Sequence, residues 1–158
     1  MKKSAGILNY RKINNNIEIL LVHPGGPLWK NKDKNSWSIP KGEIRKDDSI
    51  LKTAIREFEE ETSFKLEQED IDKISYFTEL KSINKIVYVY ILEKDFGNLE
   101  NFKPNMIYVK LPPFKKRIKI PEVDKISYFD INTAREKLIK YQKIIIDKLI
   151  EKLNNQSK

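Results

Sequence analysis

The sequence contains no cysteine. That excludes disulfides, thiolate metal sites and cysteine nucleophiles, and it fits a chain kept in a reducing compartment. Histidine occurs once, at His23, so no cluster of imidazoles is available to bind a metal. No stretch approaches the roughly 18 apolar residues of a membrane span. The short apolar run in MKKSAGILNYRK is followed at once by Asn9 and Arg11, too soon for a secretory leader. The expectation is a soluble, cytoplasmic protein with no membrane partner. Acidic residues are the scarcer charge: 23 Asp and Glu against 31 Lys and Arg leave a formal charge of +8. Such a chain attracts polyanions, whether nucleic acid, anionic lipid or phosphorylated small molecules. Much of that charge is ordinary solvated surface. Its densest run is Lys115, Lys116, Arg117 and Lys119.

What is present describes a globular chain. The 158 residues suit one domain over 1–158, with 39% hydrophobic and 34% charged residues and no internal repeat or low-complexity linker. SAGILNYR (4–11) and IEILLVH (17–23) are rich in strand formers, and Asn14, Asn15 and Asn16 between them predict a hairpin. HPGGPLWKNKDKNS (23–36) is a loop expected to line the cleft. WSIP (37–40) is expected as a short strand ended by Pro40. KISYFTEL (73–80), KIVYVYIL (85–92), MIYVKL (106–111) and KISYFDI (125–131) read as further strands. Ala134, Leu138, Tyr141, Ile145, Leu149 and Leu153 recur at helical spacing and predict a final helix over about 132–153, capped by Asn132 or Thr133. Strands and helices in this order predict an α/β fold with helices packed on a mixed sheet. The segment with Phe102, Pro104, Pro112 and Pro113 is a long loop placed to cover the cleft or shape specificity.

The chemistry gathers on one predicted helix. In 49–62, Ile50, Leu51, Ala54, Ile55 and Phe58 form an apolar stripe, and Asp48 or Ser49 serves as cap. Glu57, Glu60 and Glu61 are three and four apart, so they share one face beside that stripe. Like charges this close repel by a few tenths of a kcal/mol per exposed pair, roughly. A cation relieves that repulsion, and hard carboxylate oxygens suit Mg²⁺ or Mn²⁺. Alone, such a glutamate string is more often a solvated face.

Its surroundings change the weighing. From Gly42 the sequence runs GEIRKDDSILKTAIREFEEETSF, which resembles the Nudix box G-x5-E-x7-R-E-U-x-E-E-x-G-U, where U is a bulky apolar residue. Gly42, Arg56, Glu57, Phe58, Glu60, Glu61 and Phe64 match in register. Asp48 stands where the pattern has Glu, and Ser63 where it has Gly. The resemblance, over residues 42–64, implies a Nudix hydrolase: an α/β/α sandwich that cleaves a phosphate anhydride in a nucleoside diphosphate-linked substrate with a divalent metal. By that resemblance Glu57, Glu60 and Glu61 are metal ligands. Gly42 permits a tight loop and offers its carbonyl to the metal, and Arg56 orients the box acid. Ser63 would be strained by about 1 kcal/mol if its position needs a positive φ.

Trp37, Pro40, Lys41 and Gly42 form a W-x-x-P-K-G lead-in similar to the diadenosine tetraphosphate hydrolase branch of that family, which implies Lys41 as a phosphate contact. Glu122 precedes Tyr128 by six residues, as a glutamate does in that branch, and is implied as a metal ligand or general base. Tyr88 and Tyr90 alternate on one strand and are candidates to stack on a base or to fill the core. His23 is a weaker candidate for substrate contact. The favoured expectation is Mg²⁺-dependent hydrolysis of a dinucleoside polyphosphate. A nucleoside triphosphate, ADP-ribose or an RNA 5′ end are alternatives within the family. A module that binds nucleotide or nucleic acid without cleaving it is the alternative of another class. No RNA-binding aromatic motif or helix-turn-helix signature supports the nucleic-acid version.

Overall fold

A computed structural model of the protein describes residues 1–110 and 117–157. Its elements run β1 (Lys2–Ile13), β2 (Asn16–Pro24), β3 (Lys41–Glu43), α1 (Ile50–Thr62), α2 (Gln68–Lys73), β4 (Ser75–Ser82), β5 (Lys85–Glu93), β6 (Met106–Lys110), β7 (Arg117–Pro121), β8 (Val123–Asp130), α3 (Ile131–Lys137) and α4 (Ile144–Gln156), with one 3₁₀ turn at Lys140–Gln142. The main sheet has the order β4-β5-β1-β2-β8, and β3 pairs with β1. Its pairs are antiparallel except β1 with β5, which is parallel, so the expected mixed α/β sheet is observed. Strands β6 and β7 form a separate two-stranded ribbon.

The β1–β2 hairpin closes at Ile13 and Asn16, with Asn14 and Asn15 at φ 50° and 68°. Two left-handed residues make the turn whose twist matches the strands, and asparagine tolerates that conformation best after glycine. Strand β1 is buried without interruption from Ser4 to Tyr10 because both faces are covered. Leu8 and Tyr10 join a core with Ala134, Leu138, Ile145 and Leu149 on one side. Ala5 and Ile7 join Ala54, Phe58 and Leu66 on the other. The sheet therefore lies between α1 and the C-terminal helices. Burying Phe58 alone, which is fully enclosed, contributes about 1.5–3 kcal/mol.

Three expectations are corrected. WSIP is not a strand: Trp37 and Ser38 make isolated bridges to Leu138 and Val22, and the paired strand begins after Pro40, at Lys41. The final helix is not continuous. The Lys137 carbonyl accepts from the Ser36 and Trp37 N–H groups, and Ile139 N–H donates to the Trp37 carbonyl, so an inserted segment ends α3 at Leu138. Its cap is Asp130, which accepts from Thr133 N–H, not Asn132 or Thr133. Short α2 was not anticipated, because QEDIDK carries little apolar periodicity. It is held by Asp70, which accepts from Glu67 N–H. Of MIYVKL, residues 106–110 form β6. Leu111, Pro112, Pro113, Lys115 and Lys116 lie outside the described residues.

Candidate active site

Two elements bring the site together. Strand β3 sits on β1 through the pairs Ser4–Glu43, Ala5–Gly42 and Gly6–Lys41. Helix α1 packs beside it. Its N-terminus is capped by Ser49, whose side chain accepts from Lys52 N–H at 3.1 Å. Thr53, Ala54, Glu57, Phe58, Glu61 and Thr62 form its buried face. Glu57 and Glu61, one turn apart, are therefore drawn inward with the apolar stripe, at 6% and 7% exposure. Glu60 stays exposed at the margin.

The inward pair meets a third carboxylate from a distant part of the chain. Glu57, Glu61 and Glu122 each offer an oxygen within 4.8 Å of the others. Glu122 sits between β7 and β8 and is fixed by its backbone. Its N–H donates to the Asn105 carbonyl at 2.8 Å, and its carbonyl accepts from Gly25 N–H at 3.1 Å. Asn105 Nδ2 reaches Glu122 Oε2 at 3.5 Å. Glu61 Oε1 accepts the Lys41 N–H at 3.1 Å, tying α1 to the start of β3.

Arg56 organises the outer side. Its guanidinium donates to Glu57 Oε1 at 2.9 Å, approaches Glu60 at 3.5 Å and lies 3.9 Å from Asp48. Asp48, one methylene shorter than glutamate, thus stays in ion-pair range but beyond a direct hydrogen bond. Both Arg56 Nη2 and Glu57 Oε2 are buried without a hydrogen-bond partner among the described residues.

Burial pushes the Glu57 carboxyl up, with Arg56 opposing. It pushes Glu61 further up, with Lys41 opposing. Burial and the neighbouring Glu60 push up Glu122. Desolvated carboxylates crowded together bear their charges only with a counter-ion. The orphaned Glu57 Oε2 and the all-oxygen donor set fit a hard divalent cation.

The cluster opens into a cleft of about 410 Å³ lined by Lys41, Gly42, Glu61, Glu122, Trp29 and Tyr141, with Lys2 and Lys85 adding charge. The 23–36 loop reaches this cleft through Pro24 and Trp29, as expected. Residue reading missed Tyr141, Gln142, Ser38, Lys2 and Lys85. Tyr141 and Gln142 stood inside what read as a regular helix, and only the break at Leu138 turns them to the cleft. Gln142 is fully buried there, accepting from Ile39 N–H and donating to Ser38 Oγ and the Tyr141 hydroxyl.

Three candidate substrate contacts, Tyr88, Tyr90 and His23, are not brought to the cleft. Tyr88 and Tyr90 pair with Ala5 and Ile7, on the face toward α1, whereas Lys2 and Ser4 at the alternate positions line the cleft. Tyr90 packs edge-on against Tyr76 instead. His23 is fully buried, its ring nitrogens facing Asp124 at 2.7 Å and the Lys32 carbonyl at 2.6 Å.

A sheet between helical layers, with an arginine-braced glutamate helix opposite a further glutamate, is the architecture of a Nudix-type domain. The chain belongs to the NUDIX domain family, whose model matches residues 2–149. Among curated relatives, the m7GpppN-mRNA hydrolase of Saccharomyces cerevisiae is 28% identical over 139 residues, covering 88% of this chain and 12% of that protein. The mRNA-decapping protein g5R of African swine fever virus (isolate Pig/Kenya/KEN-50/1950) is 32% identical over 119 residues, covering 72% of this chain and 44% of that protein. This chain thus spans under half the length of either relative. Among solved structures, a Caenorhabditis elegans Ap4A hydrolase binary complex superposes with a TM-score of 0.65 at 20% identity, covering 98% of this chain and 99% of that one. The NUDIX domain of Shewanella oneidensis NrtR, solved with ADP-ribose, gives 0.61 at 14% identity, covering 97% and 88%. The expected α/β/α Nudix fold is borne out.

Proposed function

We propose that this chain is a Mg²⁺-dependent pyrophosphohydrolase that cleaves the phosphate anhydride bridge of a dinucleoside polyphosphate, with Mn²⁺ as a substitute ion. The observation that carries the reading is the cluster of buried Glu57 and Glu61 with half-buried Glu122, beside a cleft lined by Glu61, Glu122, Lys41, Lys2 and Lys85.

In this reading Glu57 and Glu61 hold the cation, with the Gly42 carbonyl beside them. When bound, the ion neutralises phosphate charge and polarises the anhydride. Arg56 fixes the Glu57 carboxylate through the hydrogen bond to Oε1, leaving Oε2 for the ion. Glu122 stands across the cluster on a separate strand connection, as third ligand or as acceptor of the proton from the attacking water. That water's oxygen forms the new bond to phosphorus, and the bridging oxygen leaves with the other phosphate. Lys41 meets the phosphates at the cleft wall. Glu60, 3.5 Å from Arg56 and exposed beside the cluster, would be a further ligand of the cation.

A second reading is favoured by the similarity to mRNA-decapping proteins: the anhydride bridge of a 5′-capped RNA. A cap is itself two nucleosides joined by phosphates, so the same site serves both. Incubation with Mg²⁺ and diadenosine tetraphosphate, capped RNA, a nucleoside triphosphate or ADP-ribose tests the proposal. Cleavage of one or both dinucleotide bridges is expected. Rapid cleavage of the triphosphate or ADP-ribose with both bridges untouched overturns it.

A further inference from the structure

The β6–β7 ribbon has no part in the chemistry above, yet it is joined to the site at Glu122. Its register pairs Met106 with Pro121, Tyr108 with Lys119 and Lys110 with Arg117. Residues directly opposite each other share a face. Met106, Tyr108, Lys110, Arg117 and Lys119 are all exposed, whereas Ile107, Val109, Ile118 and Ile120 are partly buried. The ribbon is therefore amphipathic, with an apolar inner side and an outer side of one aromatic ring among three cations. Tyr108 is 62% exposed.

Its base is fixed to the cleft. A Cβ at Gly25 would lie 2.0 Å from the Pro121 carbonyl oxygen, so this loop glycine lets the ribbon's end pack directly against it. Ile120 covers Gly26 from the inner side. Strands of five residues then carry the outer face about 16 Å away from Glu122.

Among the described residues, none of Lys110, Arg117 and Lys119 pairs with a carboxylate. Lys110 and Arg117 stand directly opposite one another, and like charges in that position destabilise a strand pair. A row of phosphates removes the repulsion. An exposed ring among cations takes up single-stranded nucleic acid, since the ring stacks on any base while the cations track the backbone.

We infer that the outer face of the β6–β7 ribbon docks the single-stranded RNA that continues from the bridging phosphates of a capped substrate. The inference rests on the hydrolase reading above and narrows its substrate to an RNA-linked bridge. A free dinucleotide ends at the cleft and leaves this face unused. A capped RNA fills the cleft with its bridge and lays its first nucleotides along Tyr108 and the cations.

The probe is a capped 20-nucleotide RNA of mixed sequence, with binding followed by fluorescence anisotropy in EDTA to prevent cleavage. Replacing the cations together (Lys110→Gln, Arg117→Gln, Lys119→Gln) is expected to weaken binding at least tenfold. It should also flatten the dependence of log Kd on log salt by about 2, three contacts at roughly 0.7 each for a single strand. Tyr108→Ala should weaken binding about tenfold with the salt slope kept. All four positions are exposed, and a melting curve establishes that each variant is folded. Unchanged RNA affinity and slope overturn the inference, as does an equal rise in KM for diadenosine tetraphosphate. Ribbon-dependent binding to phosphatidylserine vesicles but not to RNA overturns it in favour of a membrane surface. Hydrolysis without ribbon-dependent RNA binding removes the ribbon alone. Ribbon-dependent binding by a protein that cleaves no dinucleotide bridge removes the hydrolase reading alone.

Discussion

The Glu57 carboxylate occupies the space that a side chain at residue 42 would fill: a Cβ built on Gly42 would lie 2.0 Å from Glu57 Cδ and 2.3 Å from each of its oxygens. Gly42 is thus required by the approach of the carboxylate, and its φ is not in the left-handed region. Gly42→Ala is expected to displace Glu57 and lower turnover by about 100-fold or more, in line with the cost of misplacing a catalytic group by about 1 Å. The nearest atoms the methyl meets are the far end of the Glu57 side chain, which can swing aside, so the melting temperature should change little. Steady-state kinetics and a melting curve check both, and wild-type turnover in the variant would remove Glu57 from the site.

Glu57, Glu61 and Glu122 repel one another in the absence of an ion. Glu61→Gln removes one buried charge while its amide oxygen keeps the contact from Lys41 N–H. The metal-free variant should therefore melt higher than the metal-free wild type. Mg²⁺ should stabilise the wild type by about 2.7 kcal/mol at 100 times its dissociation constant, and much less in the variant. Turnover should fall by orders of magnitude. Thermal shift with and without Mg²⁺ separates these effects. An equal Mg²⁺ shift in both proteins would place the ion elsewhere.

Arg56 Nη2 is buried with no hydrogen-bond partner among the described residues and lies 3.9 Å from Asp48. A glutamate at that position reaches about one C–C bond further and closes the gap. Asp48→Glu is expected to stabilise the protein by about 0.5–1 kcal/mol, a small figure because both side chains are partly exposed. It should also tighten the bracing of Glu57 and leave turnover equal or higher. Urea unfolding and kinetics decide it. A loss of stability would mean that the loop at residues 46–48 is fitted to aspartate.

How far the sequence reaches is visible in individual residues. Glu57 and Glu61 were legible because helical spacing puts them on one face and Gly42 and Arg56 stand in register with them. Glu60 shares that spacing, but only packing shows that the inward pair joins Glu122 and leaves Glu60 at the edge. Alternation placed Tyr88 and Tyr90 together without saying which face of the sheet they occupy. The parallel pairing with β1 decides that, and it is a long-range fact. The break at Leu138 was hidden because its apolar spacing continues across it, and the cause, Trp37, lies a hundred residues away. At Ser63 the sequence predicts strain if φ is positive. It adopts φ 68°, and its hydroxyl donates to the Lys103 carbonyl and accepts from Lys103 N–H, contacts that glycine lacks.

A pH effect separate from the cluster is expected at Asp70. Its side chain is 5% exposed, and Lys94 Nζ donates to it at 2.7 Å. Burial alone raises a carboxyl, but the hydrogen bonds from Lys94 and from Glu67 N–H outweigh it and hold Asp70 below the usual range. A carboxyl depressed in the folded state contributes stability that is present above its unfolded value, about 3.9, and is lost as pH falls through the folded one. Asp70→Asn should therefore cost about 1–2 kcal/mol at pH 7, the lower part of the range for a buried ionic hydrogen bond because Lys94 is partly exposed. The difference from wild type should shrink below about pH 4, where Asp70 of the unfolded chain begins to take up a proton, and be lost as pH falls through the lower folded value. Urea unfolding of both proteins at pH 7 and pH 3 measures it. A gap that stays constant between the two would show that Asp70 stabilises by packing alone, with its ionisation unlinked to folding.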